Sequence, residues 1–456
     1  MVFTSINPAT GNQSKEIEPW GAEQLERALK QTAEATPHWA ATDILERANL
    51  LRRAGILLRE RRDDYARLIT LEMGKLFAES QAEIEKCAWG CEHYVNQGPP
   101  FIADEIVITE AKKSYVAYRP LGALLALMPW NFPFWQVFRC AAPTLLAGNT
   151  AVLKHASNVP RCALAIEELF ADAGFPQGVF TTLMITAETV PALIADPRIH
   201  AVSLTGSESV GRKVAALAGH HLKKHVLELG GSDPFIVLAD ADLDYTVGHA
   251  LASRFSNAGQ SCIAAKRFIV VDAIADQFVA LFKSAVEKLK PGDPFDPSTT
   301  LAPLAREDLR DELHHKVTQS IQQGEINVSG CTPIDGPGFF YAASILDNIG
   351  DGMPAYNDEL FGPVAAIIRV RDAHEALRIA NASRYGLGAS VWTQNIAHGE
   401  AFARQLEAGL CFVNAIVKSN PNLPFGGVKA SGYGRELSHY GMREFMNVKT
   451  VWVDNI

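Results

Sequence analysis

The chain has 456 residues, 48% of them hydrophobic and 20% charged, with a formal net charge of -9. That length exceeds one ordinary core, so two or three domains of roughly 150 residues each are expected, and the composition excludes a disordered chain. The acidic balance argues against nucleic-acid binding, which usually carries a basic footprint, while leaving room for a local basic pocket that takes an anionic ligand.

Along the chain, residues 21–65 and 75–94 read as helices, with spaced Leu and Ala among Arg and Glu. CAWGC places Cys87 and Cys91 one helical turn apart with His93 close by. A zinc site needs further well-spaced ligands, so helix packing is the reading preferred and no metal site is expected. The seven cysteines form no dense framework, which points to a reducing, cytoplasmic setting. MVFTSINPATG has no basic segment leading into an apolar run, so no signal peptide is visible there. EIVITEAKKSYVAYR, residues 105–119, alternates like a hairpin, and NVKTVWV near the end reads the same way. Two such pieces can join into a small projecting sheet whose open edges a partner subunit covers.

The most apolar stretch, residues 120–138, is long enough to suggest a membrane span, but Pro129 and Pro133 flank Asn131 and break a helix there. It reads instead as a buried strand, a tight turn and a helix, and no membrane partner is expected. Beyond it TAVLK, GVFTTLM, HAVSLTG and HVLELGG read as strands, with CALAIEELFADAG a helix closed by glycine. Alternating strands and helices give the α/β class, a parallel sheet covered on both faces. A second alternation, from FIVL and RFIVV through AAIIRV, ASVWT and CFVNA, predicts a second α/β domain.

Several stretches carry candidate chemistry. In NAGQSCIAAKR, Gly259 permits a tight bend before Cys262, and a thiolate is a strong nucleophile toward a carbonyl carbon; taken alone, that cysteine is as well explained by packing. Glu228 sits in an apolar strand before Gly230 and Gly231. Such a carboxylate is either salt-bridged for structure or a general base tuned by its surroundings, and the glycine pair lets backbone approach a flat ligand. In PWNFP, Asn131 either donates to a developing oxyanion or steadies the turn. LTGSESVG opens a helix with Gly206 and Ser207, where backbone N–H groups favour phosphate, although the pattern is weak by itself. Lys154 ends a strand where such sheets bind ligands. Glu359 and Phe361 in NDELFGPV suit a ribose and a ring, or simply an acidic loop with a core aromatic.

Together PWNFP, GS-x-x-x-G, LELGG, GQ-x-C and E-x-FGPV, in that order from INPATG to PFGGVKASGYGRE, resemble the aldehyde dehydrogenase superfamily over essentially the whole chain. The resemblance implies a Rossmann-like cofactor domain (residues 1–103 and 121–229), an α/β catalytic domain (230–435) and a β-sheet oligomerisation flap (104–120 and 436–456), in a homodimer or homotetramer. It implies Cys262 as nucleophile, Glu228 as general base, and Asn131 with the Cys262 N–H as oxyanion hole. Lys154 would bind the adenine-side ribose, Gly206 and Ser207 the pyrophosphate, and Glu359 the nicotinamide ribose, with Trp130 and Phe361 lining the cofactor site.

Two departures narrow the reading. Many NAD-using relatives carry a glutamate three positions after the lysine; here Ser157 stands there, and it can donate to a 2′-phosphate that a glutamate would repel. NADP is therefore expected over NAD. Arg139 lies eight residues after Asn131, roughly two helical turns on, and is expected at the aldehyde entrance as a bidentate partner for a substrate carboxylate. The alternative is a helix arginine paired with a structural acid. NFPFWQVFR and Ser419 in VKSNPNLPFGG are similar to succinate-semialdehyde dehydrogenases, which oxidise a four-carbon aldehyde acid. Trp135 would wall the same tunnel, and Ser261 joins the substrate set. Some relatives carry a second cysteine two residues after the nucleophile; here it is Ala264, so no redox switch at that pair is available. Neutral aldehydes are the nearest rival substrates. A CoA-acylating relative is disfavoured by Glu228, a non-enzymatic role by the joint presence of Cys262, Glu228 and Asn131, and a thiol regulator by the lack of a neighbouring resolving cysteine.

Overall fold

A computed structural model describes residues 2–14, 16–324 and 326–454. Two large mixed sheets and two small antiparallel ones, of three and two strands, organise the described residues. The first large sheet has the strand order Gly432–Tyr433, Lys224–Glu228, Ile199–Thr205, Ala123–Met128, Thr150–His155, Phe180–Thr182. Its neighbours run parallel except for the short Gly432–Tyr433 strand, which pairs antiparallel through Gly432 opposite Glu228. The second runs Ile326–Ser329, Ser344–Asp347, Val364–Val370, Ala265–Val271, Asp233–Val237, Gly388–Trp392, Leu410–Val413. It too is parallel apart from its first strand.

The central strands are uninterrupted apolar runs because helices cover both faces of a parallel sheet: every residue of Ala123–Met128 and of Ala265–Val271 is buried. The stretch that looked long enough to cross a membrane is strand Ala123–Met128, a turn, and helix Trp135–Leu146. All twelve residues of that helix are buried, so each large side chain such as Phe138 or Leu145 contributes on the order of 1.5–3 kcal/mol by leaving water. No helix among the described residues is long and apolar enough to cross a membrane.

The N-terminal segment is helical as the periodicity suggests, at Ala22–Ala41, Ile44–Glu60, Arg62–Met73 and Phe77–Phe101, the third helix running on past residue 65 and the fourth past residue 94. Cys87 and Cys91 are fully buried in the packing of the last of these, which pushes both thiols above their ordinary range. The two hairpin-like pieces do meet. Lys113–Pro120 pairs with Glu105–Ile106 on one side and with Met446–Val453 on the other, the latter over eight residue pairs from Met446 opposite Pro120 to Val453 opposite Lys113.

Candidate active site

Cys262 sits between helix Leu243–Phe255 and strand Ala265–Val271, in a segment whose backbone is unusual. Asn257, Ala258 and Gly259 take φ of 52°, 51° and 73° in succession. Two non-glycine residues in this region cost of order 1–3 kcal/mol each unless their surroundings hold them. The holding groups are buried. Arg254 donates to the carbonyls of Gly259 (2.6 Å) and Ala265 (2.9 Å). Lys266 Nζ donates to those of Ser261 (2.9 Å) and Cys262 (2.7 Å). Gln260 Oε1 accepts from the Ala305 N–H at 2.9 Å. Gly259 is obligatory for space as well, since a Cβ there would strike the Gly362 carbonyl and Arg254.

Asn131 packs against this loop. Its Nδ2 donates to the Gln260 carbonyl at 3.1 Å, and Asn257 Nδ2 donates to the Asn131 carbonyl at 3.0 Å. The amide has two N–H groups, so one remains for another acceptor. Asn131 and Cys262 line one cleft of about 620 Å³, together with Trp130, Gln136, Gly206, Ser207, Glu359 and Phe361. That volume lies within the range of small-molecule sites.

The other expected residues divide by position. Ser207 precedes helix Glu208–His220 without capping it by its side chain, and its hydroxyl touches only Ser209 (3.2 Å). Trp130 and Phe361 meet edge to face at 5.8 Å. Glu359 Oε1 accepts from the Gly231 N–H at 3.1 Å and pairs with Lys266 at 3.2 Å. The space left by the glycine pair is thus taken by the protein itself: a Cβ on Gly230 would strike the Glu359 carboxylate, and one on Gly231 would stand 2.9 Å from the Cys262 carbonyl oxygen. Lys154 is the penultimate residue of strand Thr150–His155, part-buried, and Ser157 is exposed just beyond the strand. Burial lowers the Lys154 pKa, and no carboxylate among the described residues pairs with it.

Glu228 is 2% exposed, and neither carboxylate oxygen has a hydrogen-bond partner among the described residues. Burial first, opposed by Arg139 and reinforced by Glu436, raises its pKa well above the usual carboxylate range. It faces Gly426 and the Arg139–Glu436 pair rather than lining the cleft. Burial also pushes the Cys262 thiol up to about 12, against the pull of Arg139 and Lys266.

Arg139 is buried and ion-paired. Its guanidinium is 2% exposed, forms an ion pair with Glu436, donates to Thr205 Oγ1 at 3.3 Å and lies 4.4 Å from the centre of the Phe425 ring. Its helix is buried on every side, and an acid from the far end of the chain meets it there. A part-buried cation beside Ser419 and Trp135 is Lys86. Neither Lys86 nor Glu436 was legible beforehand: a lysine on an amphipathic helix and an acid in a glycine-rich segment look like surface residues. Ser261 is part-buried and reaches the site's frame through its carbonyl.

The model of the Aldehyde dehydrogenase family matches residues 1–451. The chain belongs to that family. This dehydrogenase is 46% identical over 453 residues to a probable NADP(+) succinate-semialdehyde dehydrogenase of Synechocystis sp., covering 99% of this chain and 100% of the relative. It is 48% identical to the NAD(P)+ succinate semialdehyde dehydrogenase Sad of Escherichia coli, with 99% and 98% covered. A crystal structure of succinic semialdehyde dehydrogenase from Streptococcus pyogenes in complex with NADP+ superposes on the dehydrogenase with a TM-score of 0.97 at 39% identity, covering 99% and 100%.

Proposed function

We propose that the dehydrogenase oxidises succinate semialdehyde to succinate with NADP, taking NAD less well. The observation that carries this is the single cleft joining Cys262 and Asn131 to the Ser207 helix start and the Glu359–Phe361 loop, in a chain similar end to end to succinate-semialdehyde dehydrogenases. The cleft suits a dinucleotide: the N–H groups at a helix start, with the Ser207 hydroxyl bonded only to its neighbour Ser209 among the described residues, suit a pyrophosphate, and the Trp130–Phe361 pair lines the same cleft.

Cys262 gives up its thiol proton to solvent, its Sγ adds to the aldehyde carbon as the C=O π bond breaks, and the negative charge moves to the aldehyde oxygen. The second Asn131 N–H and the Cys262 backbone N–H stabilise it. A bound nicotinamide supplies the hydride acceptor. Cys262 then holds the acyl group as a thioester. Glu228 takes a proton from water as the water oxygen attacks the acyl carbon, Cys262 leaves, and a carboxylic acid is released. For that step the Glu228 side chain turns from the Arg139–Glu436 pair toward Cys262. Covalent attachment makes hydride loss possible from a tetrahedral carbon that a free aldehyde lacks.

The same reading assigns residues 1–103 and 121–229 to cofactor binding, 230–435 to catalysis and 104–120 with 436–456 to an oligomerisation flap of a homodimer or homotetramer. Support for the flap comes from strand Met446–Val453, which pairs along one edge only and exposes Val448 and Trp452, 61% and 47% accessible.

The substrate reading is tested by kcat/KM for succinate semialdehyde against butanal at saturating NADP. These share chain length and differ at the distal carboxylate. The acid is expected to win by at least about a hundredfold, because an apolar end leaves a buried cation unpaired. Near-equal values would remove the substrate and leave the family.

The cofactor preference is tested at Ser157. A carboxylate there meets the 2′-phosphate as a like charge, which costs several kcal/mol. Ser157→Glu is expected to move the NADP/NAD ratio of kcat/KM at least about a hundredfold toward NAD. A variant that kept its NADP preference would show that Ser157 does not set it.

A further inference from the structure

We propose that Lys266 is a positioning residue for the oxyanion hole: it holds the Ser261 carbonyl from the protein side and thereby aims the Cys262 N–H into the cleft. The proposal rests on the aldehyde-oxidising reading given above and adds a residue to it. Lys266 is the second residue of strand Ala265–Val271 and is 1% exposed, so its ammonium lies behind the loop and does not line the cleft. Nζ donates to the carbonyls of Ser261 at 2.9 Å, Cys262 at 2.7 Å and Ala264 at 3.3 Å. One charged group thus gathers three carbonyls of the turn that carries the thiol.

The consequence for the reaction comes from peptide geometry. The Ser261 carbonyl and the Cys262 N–H belong to one planar trans unit and point in opposite directions. An oxygen held by a buried ammonium on one side leaves the hydrogen facing the other, where Cys262 lines the cleft. That N–H donates to no group among the described residues, as a donor kept for a substrate oxygen must. The Ser261 carbonyl has one other donor among the described residues, the Ala264 N–H at 3.2 Å, which belongs to the same turn and moves with it. Lys266 is the anchor outside the turn. The ammonium is itself fixed by Glu359 Oε1 at 3.2 Å, and the same oxygen accepts from the Gly231 N–H at 3.1 Å. Asn131, the other donor assigned to the aldehyde oxygen, is braced separately through the Gln260 carbonyl and Asn257. Lys266 also acts by charge: with Arg139 it draws the Cys262 pKa down, against the larger effect of burial.

The experiment separates the two effects by measuring two rates on wild type, Lys266→Met and Lys266→Gln, with thermal melting and NADP affinity as checks of the fold. One is the burst of NADPH at saturating succinate semialdehyde. The other is alkylation of Cys262 by iodoacetamide at the same pH. In alkylation the thiolate sulfur displaces iodide at a saturated carbon, so it needs the thiolate but develops no oxyanion; the burst needs both. Loss of charge slows both rates by one factor, and loss of the carbonyl anchor slows only the burst. In Lys266→Met the burst is expected to fall about a hundredfold further than alkylation, the scale of losing one oxyanion donor. Lys266→Gln, which restores an N–H donor without the charge, is expected to recover most of that excess while alkylation stays slow. Lys266→Ser opens a polar cavity in which water satisfies the same carbonyls without aiming them, and it is expected to show the same excess where the methionine variant does not fold. Burst and alkylation falling by a common factor in the methionine or serine variant would reduce Lys266 to its charge on the thiol and overturn the proposal, as would no fall in either. A wild type that gives a burst with butanal but none with succinate semialdehyde removes the substrate reading alone, and the ratio is then read on butanal, whose carbonyl oxygen needs the same donors.

Discussion

Replacing Cys262 by alanine is expected to abolish NADP-dependent aldehyde oxidation, with a fall of at least about 10⁴-fold. No other thiol can substitute. Cys87, Cys91, Cys140, Cys162 and Cys331 are buried, and Cys411, though exposed, lies on strand Leu410–Val413. Without Sγ the substrate carbon stays trigonal, and a trigonal aldehyde could lose its C–H hydrogen as hydride only by becoming a high-energy acylium cation. Because Cys262 is only part-buried and its loop is held by Arg254, Lys266 and Gln260, the variant should fold and bind NADP. Alkylation adds a test of the resting state. With the thiol pushed up to about 12, the thiolate fraction is small near neutrality and grows with pH. Labelling of the Cys262 peptide by iodoacetamide should accelerate about tenfold per pH unit across the neutral range. A pH-independent rate would mean that the thiol is already ionised in the free enzyme. Residual oxidation by the alanine variant would mean that the chemistry runs elsewhere.

The second large effect is expected from Glu228→Gln. The variant keeps the shape of the side chain but cannot take a proton, so thioester formation survives while hydrolysis stalls. Mixing enzyme, NADP and succinate semialdehyde should give one equivalent of NADPH per active site in a rapid burst, followed by turnover about 10²–10⁴-fold below wild type. The pH dependence has a definite sign. Burial raises the Glu228 pKa and the carboxyl acts as a base only when ionised, so wild-type thioester hydrolysis should rise as pH increases through that raised pKa. In Glu228→Gln that rise should vanish. Equal loss of burst and steady state would show instead that Glu228 is needed before hydride transfer, as an acceptor of the Cys262 proton.

Much of the scaffold was legible because parallel strands buried on both faces are written as unbroken apolar runs, such as LGALLALM and RFIVV. The strand–turn–helix around PWNFP followed from two prolines that cannot continue a helix. The strands Ile326–Ser329 and Ser344–Asp347 went unread, the first being largely exposed and neither carrying a strong alternation. Gly432–Tyr433 was also missed: a two-residue strand of glycine and tyrosine has no periodicity, and it joins the sheet only because Glu228 and Leu227 offer it an edge.

For the site, the motifs by themselves marked the candidate residues. Cys262, Asn131, Ser207, Glu359 and Phe361 each stand in a short local pattern, and the structure brings them onto one cleft. What only the tertiary structure decided is how the charges pair. Arg139 carries the same residue type and helical spacing whether it faces a substrate or an acid. Its partner Glu436 arrives from a segment nearly three hundred residues later, just as Lys86 meets Ser419 across 333 positions. Local sequence fixes which groups a turn or strand presents, because turn geometry and burial act over a few residues. Which buried charge is neutralised and which is left open depends on groups far apart in the chain, and the cost of an unpaired charge is settled only when the fold brings those groups into contact.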